Sequence, residues 1–239
     1  MIIFFSENFH LDANELTEEE EISFLETMKR VWRLFKNKDL KIYLLILLIK
    51  NSGMVFFTNV LHLILVDKGL PKTTISMLST LIIPFQLFFL YQFGKMKENL
   101  MKNGLKAQFV LCFICVFELL FLYFFDVFNS NFYFMIAILF LNNIISSYFC
   151  LMNSICHQGF FNKIVDRSLG ATYLTLLNST SNLSVKWPTM IIYSAIDIFG
   201  STYVGVASVI ITFIIYFAIK DKLIEFDDKK LEEWKSKKE

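Results

Sequence analysis

Residues 108–128 read QFVLCFICVFELLFLYFFDVF, with Glu118 and Asp126 the only charges. A helix rising about 1.5 Å per residue crosses a bilayer core in ~20 residues, so this run is long enough to span. In lipid a helix satisfies its own backbone hydrogen bonds, which makes the bilayer the favourable environment for such a run.

Moving outward, five more runs of this kind follow one another along the chain: 40–66, 74–93, 132–156, 170–199 and 203–219. Pro84 is expected to break the second run, and the run at 170–199 is the most polar. Charged residues make up 19% of the chain, below the roughly one quarter of a soluble domain, and most of them lie in 7–41 and 220–239. The expected fold is therefore an all-α integral membrane protein, a six-transmembrane-helix bundle over residues 40–220. An acidic lead-in at 1–21 and a charged tail at 221–239 flank it.

Residues 22–39 have helical spacing between lead-in and bundle. Ile22, Leu25, Met28, Trp32 and Phe35 fall on one face, and Lys29, Arg30, Arg33 and Lys36 on the other. Such a basic amphipathic helix suits an anionic membrane surface, and a solvated linker helix fits the same pattern.

Lys and Arg residues set the orientation. Nineteen of the 23 fall in the flanks and alternate loops that share one side of the membrane, and only Lys68 and Lys72 lie in the loops opposite. Both termini are thus expected in the cytoplasm. The net charge of +1 gives no argument for nucleic acid as a partner. Cys112 and Cys115 have C-x-x-C spacing, but they read as small apolar residues one helical turn apart. His62 and His157 have no partner at ligand spacing, so no metal is expected, and no sequence motif asks for a cofactor. No motif of an enzyme is present either.

Ionisable groups inside a span are costly and mark function or buried pairing. Lys50 lies in the first expected span, followed by Asn51 and Gly53; Glu118 lies midway along the third; Lys186 lies in the fifth, beside Trp187 and Pro188. Lys50 and Glu118 read either as a site or as a structural ion pair. Lys186 reads either as a site or as a lysine reaching the interface where Pro188 ends the helix. Thr172, Thr175, Asn178, Asn182 and Lys186 recur at spacings that place them on one helical face. Such a stripe lines a water-filled path or packs against another polar helix, and its four-turn length favours the path.

The stretch Val165-Asp-Arg-Ser-Leu-Gly170-Ala-Thr172-Tyr173-Leu-Thr175-Leu-Leu-Asn178-Ser-Thr-Ser181-Asn182-Leu183, followed by Trp187-Pro188, resembles the acetyl-coenzyme A transporter family of the major facilitator superfamily. That family's pattern here reads like D-x-x-I-G-G-T-Y-M-T-L-L-N-T-x-S-N-L-G-G-N-W-P. The loop Val66-Asp-Lys-Gly69-Leu-Pro71-Lys72 is similar to its acidic-Gly-x-Pro-Lys loop, and Lys50 and Glu118 fall where it has comparable residues. The family's Gly-Gly-Asn before the tryptophan is Ser184-Val185-Lys186 in this chain. The resemblance covers residues 22–239 and the family's carboxyl-terminal half.

The resemblance implies a transporter that carries acetyl-CoA from the cytosol into the lumen of the endoplasmic reticulum by alternating access. Acetyl-CoA and the lipid bilayer are then the partners, together with a missing amino-terminal six-helix half or a second copy. An interrupted longer chain is the expected source of the single half. For this cargo Lys50 and Lys186 are expected to pair with phosphates, and Trp187 or Tyr173 to stack on adenine. Thr175, Asn178 and Asn182 would bond the pantetheine amides, with Asn51 and Thr172 beside them. Glu118 would orient a lysine or couple to protons. A transporter of another organic anion, a membrane-bound acyltransferase using His62 or His157, and a non-transporting scaffold are the competing readings.

Overall fold

The computed structural model describes residues 37–164, 170–229 and 234, without the side chains of 129 and 170–172. The expected lead-in at 1–21, nearly all of the amphipathic segment at 22–39, most of the tail past 229 and the side chain of Thr172 lie outside the described residues.

Among the described residues the secondary structure is helical throughout. Helix α1 runs Lys38–Ile49, and Asn37 caps it by accepting the backbone N–H groups of Asp39 and Leu40. A π-helical turn, Phe56–Val60, leads directly into α2, Leu61–Asp67. Then come α3 (Lys72–Phe93), α4 (Leu100–Tyr123), the short α5 (Phe125–Asn129), α6 (Phe132–Ile164), α7 (Gly170–Phe199) and α8 (Ser201–Asp228).

Four of these helices, α3, α4, α6 and α8, are long and apolar enough to cross a membrane. The other two expected spans have a different character. The first is interrupted between Ile49 and Phe56. The fifth, α7, is a continuous 30-residue helix that carries the polar stripe. The breaks expected at proline are absent: α3 continues through Pro84 and α7 through Pro188. A transmembrane helix tolerates proline when nearby hydroxyls and neighbouring helices take up the freed backbone groups. Next to Pro188, Thr189 Oγ1 donates to the carbonyl of Val185 at 2.6 Å, one residue past the Ser184 carbonyl that the proline leaves without its helical donor.

The turn after α2 closes at Gly69, whose φ of 101° suits glycine, and Leu70 N–H reaches back to the Leu65 carbonyl at 2.9 Å. Helix α4 is the hub of the bundle and packs along α6 and α8, while α3 packs on α6 and α1 on α7. Large apolar side chains such as Phe88 on α3 and Phe113 on α4 point outward, as a lipid-facing surface requires.

The buried core is two apolar clusters. One gathers Phe56, Leu65, Leu111, Phe125, Met135, Ile192 and Val204. The other gathers Tyr43, Leu47, Leu105, Phe160, Tyr173, Leu177, Ile219 and Phe226. Every long helix except α3 places buried residues in both.

Candidate functional site

A polar layer separates the two apolar clusters. Along the chain Lys50 falls between Leu47 and Met54, and Gln108 between Leu105 and Leu111. Asn153 and His157 precede Phe160; Ser184 falls between Leu177 and Ile192; Ser208 and Thr212 fall between Val204 and Ile219. All of these polar side chains are buried. Five segments thus contribute polar groups to one level of the bundle.

At this level the first expected span stops being a helix. Turns replace it from Lys50 to Met54, and the π-helical turn follows. Interrupted helices and π turns free backbone carbonyls inside the protein, and these need partners. Trp187 Nε1 donates to the Leu48 carbonyl at 3.0 Å, and Gln108 Nε2 donates to the Lys50 carbonyl at 3.4 Å. The break also needs room. A Cβ added to Gly53 would come within 2.5 Å of the Ser208 carbonyl oxygen, so only glycine lets this backbone lie against α8. Asn51 Nδ2 to Ser184 Oγ at 2.8 Å and Asn59 Nδ2 to Thr189 Oγ1 at 3.3 Å fasten the same segment to α7.

Lys50 stands at the end of α1 with 4% of its surface exposed. Among the described residues it has no ion pair. The structural pairing with Glu118 therefore does not form: the Glu118 carboxylate accepts a 2.7 Å bond from Asn142 Nδ2 on α6 instead. Glu118 lies inside the Phe56 cluster rather than in the polar layer, where it lines a cavity of about 20 Å³ with His62, Asn142 and Asn143. That is space for about one water molecule.

Beside Lys50, Tyr43 OH contacts His157 Nδ1 at 3.2 Å. Ser52 Oγ, Gln108 Oε1, Asn153 Oδ1 and Tyr173 OH are buried without a hydrogen-bond partner among the described residues. Buried polar atoms are normally satisfied, and unsatisfied ones gather where a protein binds something. One unpaired ammonium with amide, hydroxyl and phenol groups around it is a set suited to an oxyanion or an amide.

The predicted site residues divide into two groups. Lys50 and Tyr173 are buried, and Asn51 and Trp187 are half-buried and already bonded to Ser184 and Leu48. Thr175, Asn178, Asn182 and Lys186 lie on the opposite side of α7 from the buried positions Tyr173, Leu177, Ser184 and Pro188. Thr175, Asn182 and Lys186 are exposed and Asn178 is half-buried. Lys186 is well inside a continuous helix, so no helix end is near for it to reach.

Sequence reasoning misses Gln108, Asn153, Ser208 and Thr212 as members of the layer, and Tyr43 beside it. The apolar run begins at Gln108, which puts it at the start of its expected span, but α4 starts at Leu100 and carries Gln108 inward. Asn153 lies near the end of the expected span 132–156, but α6 continues to Ile164. The signal that could have found both is a lone amide followed or preceded by an apolar face.

The family model described as acetyl-coenzyme A transporter 1 matches residues 114–230. Over this stretch, just under half of its length, the chain is similar to the acetyl-coenzyme A transporter family. No curated protein and no solved structure matches the chain. The matched stretch includes Glu118, the α7 stripe and Trp187, whereas Lys50 and Asn51 precede it. The chain is accordingly a multi-pass membrane protein whose carboxyl-terminal side is similar to this transporter family.

Proposed function

We propose that this chain is one six-helix half of a facilitator-type transporter and carries acetyl-CoA from the cytosol into the endoplasmic reticulum lumen by alternating access. The observation that carries the proposal is Lys50: a buried lysine without an acid partner among the described residues, at the broken middle of a membrane segment. Discontinuous helices of this kind hold substrate groups near the bilayer midplane in secondary transporters. Acetyl-CoA brings phosphates for Lys50 and amides for the unsatisfied oxygens nearby.

The outward polar face of α7 supports the same reading. Asn178, Asn182 and Lys186 are disfavoured against lipid, so this face suits a water-filled path covered by an amino-terminal six-helix half or by a second copy. In this arrangement Lys50 and Lys186 meet phosphates, and Asn178 and Asn182 meet the pantetheine arm. Both termini are cytoplasmic, in keeping with the distribution of lysine and arginine.

The test is uptake of labelled acetyl-CoA into proteoliposomes containing the full chain. Lys50→Ala and Lys186→Ala should each reduce uptake. Unchanged uptake in both variants would sink the phosphate pairing. Competition by CoA and unrelated nucleotides decides between acetyl-CoA and another organic anion. An acyltransferase reading is weaker, because His157 is buried with Nδ1 engaged by Tyr43, and no nucleophile is bonded to His62 among the described residues.

A further inference from the structure

Where α4 begins and α8 ends, a cavity of about 460 Å³ opens on the side of the bundle, with Asn99, Lys102, Asn103, Lys106, Tyr216 and Lys220 in its wall. Three lysines from two helices converge on it. Lys102 is neutralised by Asp228 at 2.7 Å. Lys106 and Lys220 have no ion pair among the described residues, and the Lys220 ammonium sits 5.3 Å from the Phe217 ring centre. Other lysines at the helix ends are engaged: Lys95 bonds Tyr91, and Lys222 bonds Glu225. Asn99 occupies the N-cap position of α4 without making the side-chain cap bond, which leaves its amide available to the cavity.

Adjoining the charged cavity is an apolar surface. Phe109 lies against Tyr216 at 5.3 Å and against Phe113 at 5.0 Å, and Phe113 meets Phe213 at 5.8 Å. Phe109 and Phe113 are 39% and 54% exposed on the outer face of the bundle. These rings follow α4 from Lys106 toward the middle of the apolar run. The surface therefore has a cationic end at the helix termini and an aromatic rail along the hydrocarbon, which is the shape and polarity of one phospholipid.

We propose that this cavity binds an anionic phospholipid, with its phosphate between Lys106 and Lys220 and an acyl chain along Phe109 and Phe113. Basic cavities between transmembrane helices select anionic headgroups because each lysine near the surface adds to the attraction. The site is independent of the polar layer at Lys50 and of what the chain transports.

The test is native mass spectrometry of the purified full chain in neutral detergent, titrated with phosphatidylserine, phosphatidylinositol or phosphatidylcholine. The expected result is retention of the two anionic lipids over phosphatidylcholine. Lys106→Gln with Lys220→Gln should weaken their retention about tenfold or more, from roughly a factor of five per lysine, and Lys106→Arg with Lys220→Arg should restore it. If the glutamine variant does not fold, the wild-type arm decides alone: retention of phosphatidylserine must fall as ionic strength rises. Equal retention of phosphatidylcholine, retention indifferent to salt, or undiminished retention by a folded glutamine variant would overturn the proposal. Displacement of phosphatidylserine by millimolar inorganic phosphate alone would overturn it in favour of a free-oxyanion site.

Discussion

The indole nitrogen of Trp187 on α7 donates to the carbonyl oxygen of Leu48, 3.0 Å away in the last turn of α1. The bond closes a carbonyl that the break at Lys50 would otherwise leave open inside the bundle. It gives Trp187 a structural use beside any contact with adenine. Trp187→Phe keeps an aromatic face but loses the donor. It should lower stability by about 1–3 kcal/mol, the effect of leaving a buried acceptor unsatisfied, as a lower melting temperature in detergent. A phenylalanine variant as stable as wild type would count against the brace.

Gly53 is the second requirement of the break. Its backbone touches α8 where a Cβ would meet the Ser208 carbonyl and Thr212. Gly53→Ala should force the two segments apart and cost about 1–3 kcal/mol. The check is thermal stability by size-exclusion chromatography after heating. Gly69→Ala is a contrasting control, since its strain is local to a turn with open space around it.

Lys50→Met removes the charge but keeps most of the buried stem. The fold should survive, because no ion pair among the described residues is lost. If Lys50 binds a phosphate, a charge-assisted bond of about 1.5–3 kcal/mol is lost and uptake at low acetyl-CoA should fall by roughly ten- to a hundredfold. Concentration-dependent uptake measures this, and an unaltered half-saturation concentration argues that Lys50 is structural.

Glu118 and Asn142 form a 2.7 Å bond within an apolar cluster. Glu118→Gln preserves shape and can still pair with Asn142, so its melting temperature should stay near wild type. Glu118→Leu strands the Asn142 amide and should destabilise by about 1–3 kcal/mol. If glutamine is as damaging as leucine, the carboxylate charge itself is needed. Comparing the pH profiles of uptake in wild type and Glu118→Gln then tests whether the carboxyl exchanges a proton during transport.

Outside the bilayer, Lys229 Nζ bonds Asp39 Oδ2 at 2.6 Å and ties the end of α8 to the start of α1. The bond to Asp39 is the main reason the Lys229 ammonium is held above its usual value of 10.5. A raised lysine contributes its stability below the ordinary value and loses it as pH rises through the raised one. Asp39→Asn should therefore lower stability by up to about 1 kcal/mol. The difference from wild type should be constant at neutral pH and be lost as pH rises into strong alkali. Melting curves across pH check this, and a difference that disappears near neutrality would implicate another group.

Some of the site could be read directly and some could not. Lys50, Glu118 and Lys186 were visible because a charge in an apolar run is conspicuous at any register. The α7 stripe was visible because its period matches a helix, and the structure keeps that helix continuous. Gln108 and Asn153 were hidden because hydropathy located their helix ends wrongly, although the helices continue beyond the apolar runs at Leu100 and Ile164. The partner of Glu118 was also hidden, because the charges of Lys50 and Glu118 suggested each other and nothing local indicated Asn142.

The sequence by itself determined that this chain lives in a membrane, where its apolar runs lie, and that one helix carries a polar stripe. Those properties depend on residue type and short-range period, which are local. Only the tertiary structure decided that the first span is broken at Lys50, that Gly53 and Trp187 make that break tolerable, and that polar groups from five segments meet at one level. Each of these depends on carbonyls, amides and hydroxyls that lie far apart in sequence, and hydrogen-bond satisfaction inside a bundle becomes visible only once the helices are packed.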